Sequence, residues 1–257
     1  MRLRNAALLA ALLLMPLTAS AQLKVMISGG FSGPYEKLLP EFERASGIKV
    51  ETGSGSSQGK GPQTIAAQLA RGVPVDVVIM SREGLEELIA EKRIAAGSDV
   101  DLARTPIGVA VRAGAPKPDV STVEAFKQLM LRSKTVAVPS STAGIFLIKD
   151  VFPRLGIADK VNVKATPRGA GATAMLAKGE ADVAVLPVSE IVHAGPGVQL
   201  VGVIANEIQL NQSFSAAIVA GSKQVEAARK LIAFLTSPGA GGVIKAFGME
   251  PLGRRAG

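Results

Sequence analysis

The chain has 257 residues, of which 47% are hydrophobic, 19% charged and 4% aromatic, with no Cys, no Trp and a single His. That excludes a disordered tail, a disulfide framework, a thiolate nucleophile and a Cys-ligated metal, and leaves no His cluster for one. The formal charge of +8 is spread along the chain with no basic run longer than two, and aromatics are too few for base stacking, so nucleic acid is not the expected partner.

Arg2 and Arg4 precede an apolar stretch from Ala6 to Leu17, which ends in Ala19-Ser20-Ala21. A basic start, a short apolar core and small residues at the cleavage positions describe a secretory signal over residues 1–21. About twelve apolar residues fall short of the ~20 that span a bilayer. No Cys follows for lipid attachment, so the mature chain is expected to begin at Gln22 and to reside in the periplasm.

From Leu23 onward, strand and helix signals alternate. Leu23 to Ile27 reads as a strand stopped by Ser28-Gly29-Gly30, and Tyr35 to Ser46 as a helix closed by Gly47. Ile48 to Thr52 is the next strand, followed by a loop from Gly53 to Gly59 and a helix from Pro62 to Arg71. Val75 to Met80 is a continuous apolar run of the kind buried in parallel sheets, and Glu83 to Lys92 is helical. The pattern restarts near Thr105. Strands are expected at Ile107 to Val111, Thr135 to Pro139, Val161 to Ala165 and Ala181 to Val188, with helices at Val123 to Leu131, Ala143 to Leu155 and Ala172 to Lys178. A last strand, Phe214 to Ala220, and a helix, Val225 to Leu235, follow. The fold class is therefore α/β, with two doubly wound lobes: residues 22–104 with 214–257, and residues 105–213. Val109 to Gly114 and Ala217 to Gly221 bracket the second unit as candidate hinge strands.

Four Gly- or Ser-rich loops open helices: Ser28 to Ser32, Gly53 to Gly61, Pro139 to Gly144 and Arg168 to Gly171. Ligands of open α/β sheets bind where such loops lie, and the free N–H groups of a first helical turn suit an anion. Gly55-Ser56-Ser57-Gln58-Gly59 also fits the nucleophile elbow, and with Asp182 and His193 a hydrolase order can be written. Its loop is looser than a sharp elbow and no oxyanion loop precedes it. Gly169 to Ala174 with Glu190 fits a dinucleotide fingerprint, but the strand before it is weak and the helix after it short. No cofactor and no metal is expected.

The signal, the Ser/Gly loops and the returning chain resemble a periplasmic solute-binding protein of the molybdate-binding type. The resemblance is carried chiefly by Leu69-Ala70-Arg71-Gly72-Val73-Pro74-Val75-Asp76-Val77-Val78-Ile79-Met80-Ser81. Ser141 to Phe146, Lys178 to Asp182 and the segment from Phe234 to Met249 add to it. It implies a monomeric carrier that delivers a small anion to an ABC-transporter permease and performs no chemistry; a sensor on the same scaffold and a serine hydrolase using Ser57 and His193 are the alternatives. The family's second-loop serine falls on Ser57, with Ser56 beside it, and its backbone contacts fall on Ala143 and on Gly169. Its first-loop serine falls on Gly30, with Phe31 next, and its binding tyrosine on Pro187. Two hydroxyls are thereby lost, while Arg168 offers a guanidinium fork, which favours a small carboxylate over molybdate or tungstate.

Overall fold

The computed structural model describes residues 22–253, so the signal expected at 1–21 and the last four residues lie outside it. Two α/β lobes are built on separate mixed sheets. In the first, β1 (Leu23–Ile27) lies between β2 (Val50–Ser54) and β3 (Val77–Ser81), all parallel. Between them run α1 (Ser32–Ser46) and α2 (Ile65–Ala70), and α3 (Arg82–Ala90) follows β3. Gly47, at φ 70°, ends α1 in the left-handed conformation that glycine adopts without penalty. All five residues of β3 are buried, as its uninterrupted apolar run requires.

The chain then forms β4 (Val100–Thr105), an edge-side strand that periodicity does not reveal because Asp101 and Arg104 interrupt it. Those charges are paired. Arg82 binds Asp101 and, through Nη1 at 2.8 Å, Asp99, so a charged strand is held in a sheet otherwise specified by apolar burial.

After Thr105-Pro106 the chain enters the second sheet at β5 (Ile107–Arg112). This lobe contains α4 (Val123–Arg132), β6 (Val136–Pro139), α5 (Thr142–Phe146), a π-helical turn (Leu147–Val151) leading to α6 (Phe152–Arg154), and β7 (Val163–Thr166). Next come α7 (Gly169–Lys178), β8 (Val183–Pro187), α8 (Val188–His193) and β9 (Val198–Val203). The strand order is β7-β6-β8-β5-β9. The chain returns as β10 (Gln212–Ile218), which inserts antiparallel between β3 and β4, and ends with α9 (Val225–Leu235), α10 (Pro238–Ala246) and the short β11 (Glu250–Pro251).

The expected hinge strands do not meet. Val109 to Gly114 lies largely within β5, which pairs with β8 and β9, whereas β10 pairs with β3 and β4. The crossovers are instead the short segments before Ile107 and after Val203. Gln209 ties them: its Oε1 accepts the Ile107 N–H at 2.7 Å and its Nε2 donates to the Ile107 carbonyl at 3.1 Å. A side-chain amide thus completes a backbone pairing where the sheet itself stops.

Each lobe has its own apolar core. Phe42, Leu38, Phe31 and Phe214 belong to the first, and Phe126, Phe152, Val136 and Val185 to the second. Tyr35 is buried in the first lobe, its hydroxyl 2.8 Å from Thr52 Oγ1, and burial pushes its pKa from 10 up to about 12. The neutral phenol is therefore favoured on folding, a contribution intact below pH 10 and lost as pH rises towards 12. Tyr35→Phe is expected to lose about 1 kcal/mol at pH 7. The gap should close between pH 10 and 12, as read by urea unfolding; a constant gap would mean the phenol is not shielded.

Candidate functional site: a cleft between the lobes

The carboxyl ends of β1, β2, β6, β7 and β8 and the start of antiparallel β10 converge on one cleft. It is lined by Ser28, Gly29 and Gly30 after β1, Ser56 and Ser57 after β2, and Gln212 and Phe214 from β10. The second lobe adds Pro139, Ser141 and Ala143 around the end of β6, Pro167, Arg168 and Gly169 between β7 and α7, and Pro187 and Glu190 at the end of β8. Seven of the eight expected positions therefore face it: Gly30, Ser56, Ser57, Ala143, Arg168, Gly169 and Pro187.

Phe31 does not. The chain makes a 3₁₀ turn over Gly29–Phe31, which turns the Phe31 ring into the first lobe's core, where it is fully buried. The ring at the cleft is that of Phe214, and a Cβ at Gly30 would overlap it. Glycine is required there by the ring above it rather than by a ligand.

The lobes are closed on each other. Thr142 Oγ1 donates to Gln58 Oε1 at 2.8 Å and lies 2.8 Å from Ser81 Oγ, and Ser189 Oγ donates to the Gly30 carbonyl at 2.7 Å. Arg168 Nη2 lies 3.3 Å from Ser32 Oγ. Between them remains a cavity of about 20 Å³, room for about one water when ~10–15 Å³ holds one. The closed arrangement has no room for a larger guest.

The cleft collects polar groups that the protein leaves unpaired. Ser28 Oγ, Gln212 Oε1 and Arg168 Nε are buried without a hydrogen-bond partner. Orphans cost about 1–3 kcal/mol each, and three at one cleft mark a place where a polar guest completes them. Ser57 Oγ accepts the Ser81 N–H at 2.9 Å, which orients its own proton away from that bond.

Glu190 is the group that sequence reasoning passed over as a site residue. It is half-buried, packed between the lobes and edging the cleft. Burial pushes its pKa from 4.5 up to about 7, against the opposing pull of the Arg168 charge and a hydrogen bond from the Gly169 N–H. Its carboxylate is wedged between Gly29 and Gly169, where a Cβ on either would overlap Oε2. A carboxyl poised near neutrality in a cleft, beside a fixed cation, has the properties of a general base. In the sequence it stands out only as the acidic residue of a weak dinucleotide pattern.

The hydrolase constellation does not assemble. His193 ends α8 with Nε2 3.4 Å from Glu36 and its ring edge-on to Phe247, and it is not among the cleft residues. Asp182 accepts the Thr135 N–H at the opposite end of β8. Among the described residues, no group of three or more His, Asp or Glu could hold a metal ion.

The model of the bacterial extracellular solute-binding proteins matches residues 23–250. The chain belongs to that family. Its fold is similar to that of the periplasmic molybdate-binding protein of Azotobacter vinelandii, with a TM-score of 0.66 and 21% identity over 89% of this chain and 98% of that one. It is also similar to the sulfate-binding protein SubI of Mycobacterium tuberculosis, with a TM-score of 0.69 and 21% identity over 90% and 86%. A relative from Pseudomonas sp., 37% identical over 249 residues that span 96% of this chain and 95% of its own length, is an aconitate isomerase. That relative overturns the expectation of a carrier without chemistry. The scaffold is a binding protein's, and one member close to this chain is an enzyme.

Proposed function

We propose that this protein is an exported isomerase that encloses a small unsaturated tricarboxylate of the aconitate class between its lobes and moves one proton within it. The observation that carries the reading is Glu190, a carboxyl held near pKa 7 in the cleft beside Arg168. The 37% identical aconitate isomerase supports the choice of substrate class.

The chemistry needs little else. Aconitate has a CH₂ between a carboxylate and a C=C bond. Glu190 takes a proton from that carbon, leaving a carbanion delocalised over the three-carbon unit and its carboxylates. A proton returned by Glu190 at the far carbon shifts the double bond and can exchange cis for trans geometry. No bond to oxygen forms, nothing is oxidised, and no cofactor is consumed. Arg168 supplies fixed positive charge for the carboxylate that gains electron density, and the unpaired Ser28, the Ser57 hydroxyl and the Ala143 N–H orient the rest.

Incubation with cis- or trans-aconitate, followed by proton NMR, tests the reading. Interconversion is expected. A thermal shift with aconitate but no interconversion leaves a carboxylate carrier, and no response to either isomer removes the substrate class. Ser57→Ala is expected to weaken aconitate binding about fivefold, near 1 kcal/mol, measured by calorimetry; an unchanged affinity would mean Ser57 serves only the Ser81 N–H. Periplasmic export, a monomeric state and delivery to a transporter permease rest on family membership and are part of the same proposal.

A further inference from the structure

Glu190 has two sides. One edges the ligand cleft; the other edges a second, outer cavity of about 370 Å³, which Gly29 and Arg168 also border. The outer cavity is lined by Ser32, Glu36, Thr173 and His193, with Ala170 and Ala174 of α7 forming an apolar wall. Glu36 and His193 are substantially solvent-exposed at its rim. It holds several waters by volume, and its hydroxyls suit them.

We propose that this outer cavity is the proton route of the enzyme: Glu190 exchanges its proton with bulk water through it while the ligand cleft is shut. The inference rests on Glu190 as the base proposed above. With the lobes closed, the inner side leaves space for about one water; around a tricarboxylate the lobes close less far, and the ligand then occupies the inner side. Exchange during turnover must then use the outer side. The charged and titratable groups facing this path are Arg168 at the start of α7, His193 on α8 and Glu36 on α1. The route predicts that product carries solvent hydrogen, because Glu190 trades its proton before returning it.

Ala174→Phe fills the cavity wall without touching the cleft lining, and Ala170→Leu does so from one turn away. In D₂O, the wild type is expected to place deuterium in most product molecules. In the two variants that fraction should drop at least fivefold while kcat/KM stays within threefold. A second readout needs no turnover: with the unreactive saturated analogue tricarballylate filling the cleft, a pH jump across 7, followed by the carboxyl infrared band that Glu190→Gln removes, should slow at least tenfold in either variant. Unchanged deuterium content and an unchanged jump rate overturn the route. If the wild type does not isomerise aconitate yet the jump slows in the variants, the function proposed above fails and the proton route stands.

Discussion

Glu190→Gln is expected to lower isomerisation about a thousandfold while leaving aconitate affinity equal or better. The glutamine keeps the shape and the hydrogen bond from Gly169 but cannot take a proton, and positioned general bases contribute about 10²–10⁴-fold. The same variant should be more stable than the wild type above neutrality. The folded-state pKa of about 7 lies above the ordinary 4.5, so the wild type holds a proton the unfolded chain releases. Its stability is undiminished below pH 4.5, declines as pH rises to 7, and stays lowered beyond. After allowance for the part of the carboxylate that edges cavities, the gain for the variant at pH 8 is about 2 kcal/mol and vanishes near pH 4. For the wild type, kcat/KM should rise about tenfold per pH unit below 7 and level above it. An active Glu190→Gln enzyme, or one less stable at pH 8, would mean that Glu190 is structural.

Arg168→Ala carries the second large effect. Its guanidinium leans on one hydroxyl, Ser32, and its Nε is buried without a partner, so most of its bonding capacity is unspent in the free protein. A bidentate carboxylate would use it, and losing such a pair costs about 3 kcal/mol, or roughly a hundredfold in affinity. Binding of tricarballylate, the saturated analogue, should fall by that factor, and Arg168→Lys should recover part of it as a point charge without the fork. Molybdate, if it binds at all, should be little affected, since its neutral donors remain. Removing the cation also removes one of the two influences that hold Glu190 down, so the residual pH profile should move upwards. Equal tricarballylate affinity in Arg168→Ala would make this arginine a rim charge.

Much of the fold was legible because burial wrote it into composition. The apolar runs at Val77–Ser81 and Val183–Pro187 are interior strands, as their composition indicates, each parallel to one neighbour and antiparallel to the other. Val100–Thr105 was not legible, since its charges are satisfied by Arg82 of α3 and Glu250 of β11, tertiary pairings with no local trace. The site was half legible. The Ser/Gly loops and Arg168 stand at strand ends, where topology alone points. Phe31 and Phe214 show the limit: which of two rings reaches the cleft depends on a three-residue 3₁₀ turn and on the register of an antiparallel strand more than 180 residues later. Glu190 lay hidden for a different reason. A glutamate in the first turn of a helix is ordinary, and only the burial around it makes it chemically unusual. A chain with one His and no Cys therefore looked inert.

The wedge of Glu190 between Gly29 and Gly169 makes its aim depend on two residues that carry no side chain. Oε2 occupies the space that a methyl group would take on either neighbour. Because that oxygen is the free end of a flexible side chain, an added methyl at 29 or 169 displaces the carboxylate rather than the backbone, so the lobes can keep their fold while the carboxyl loses its place.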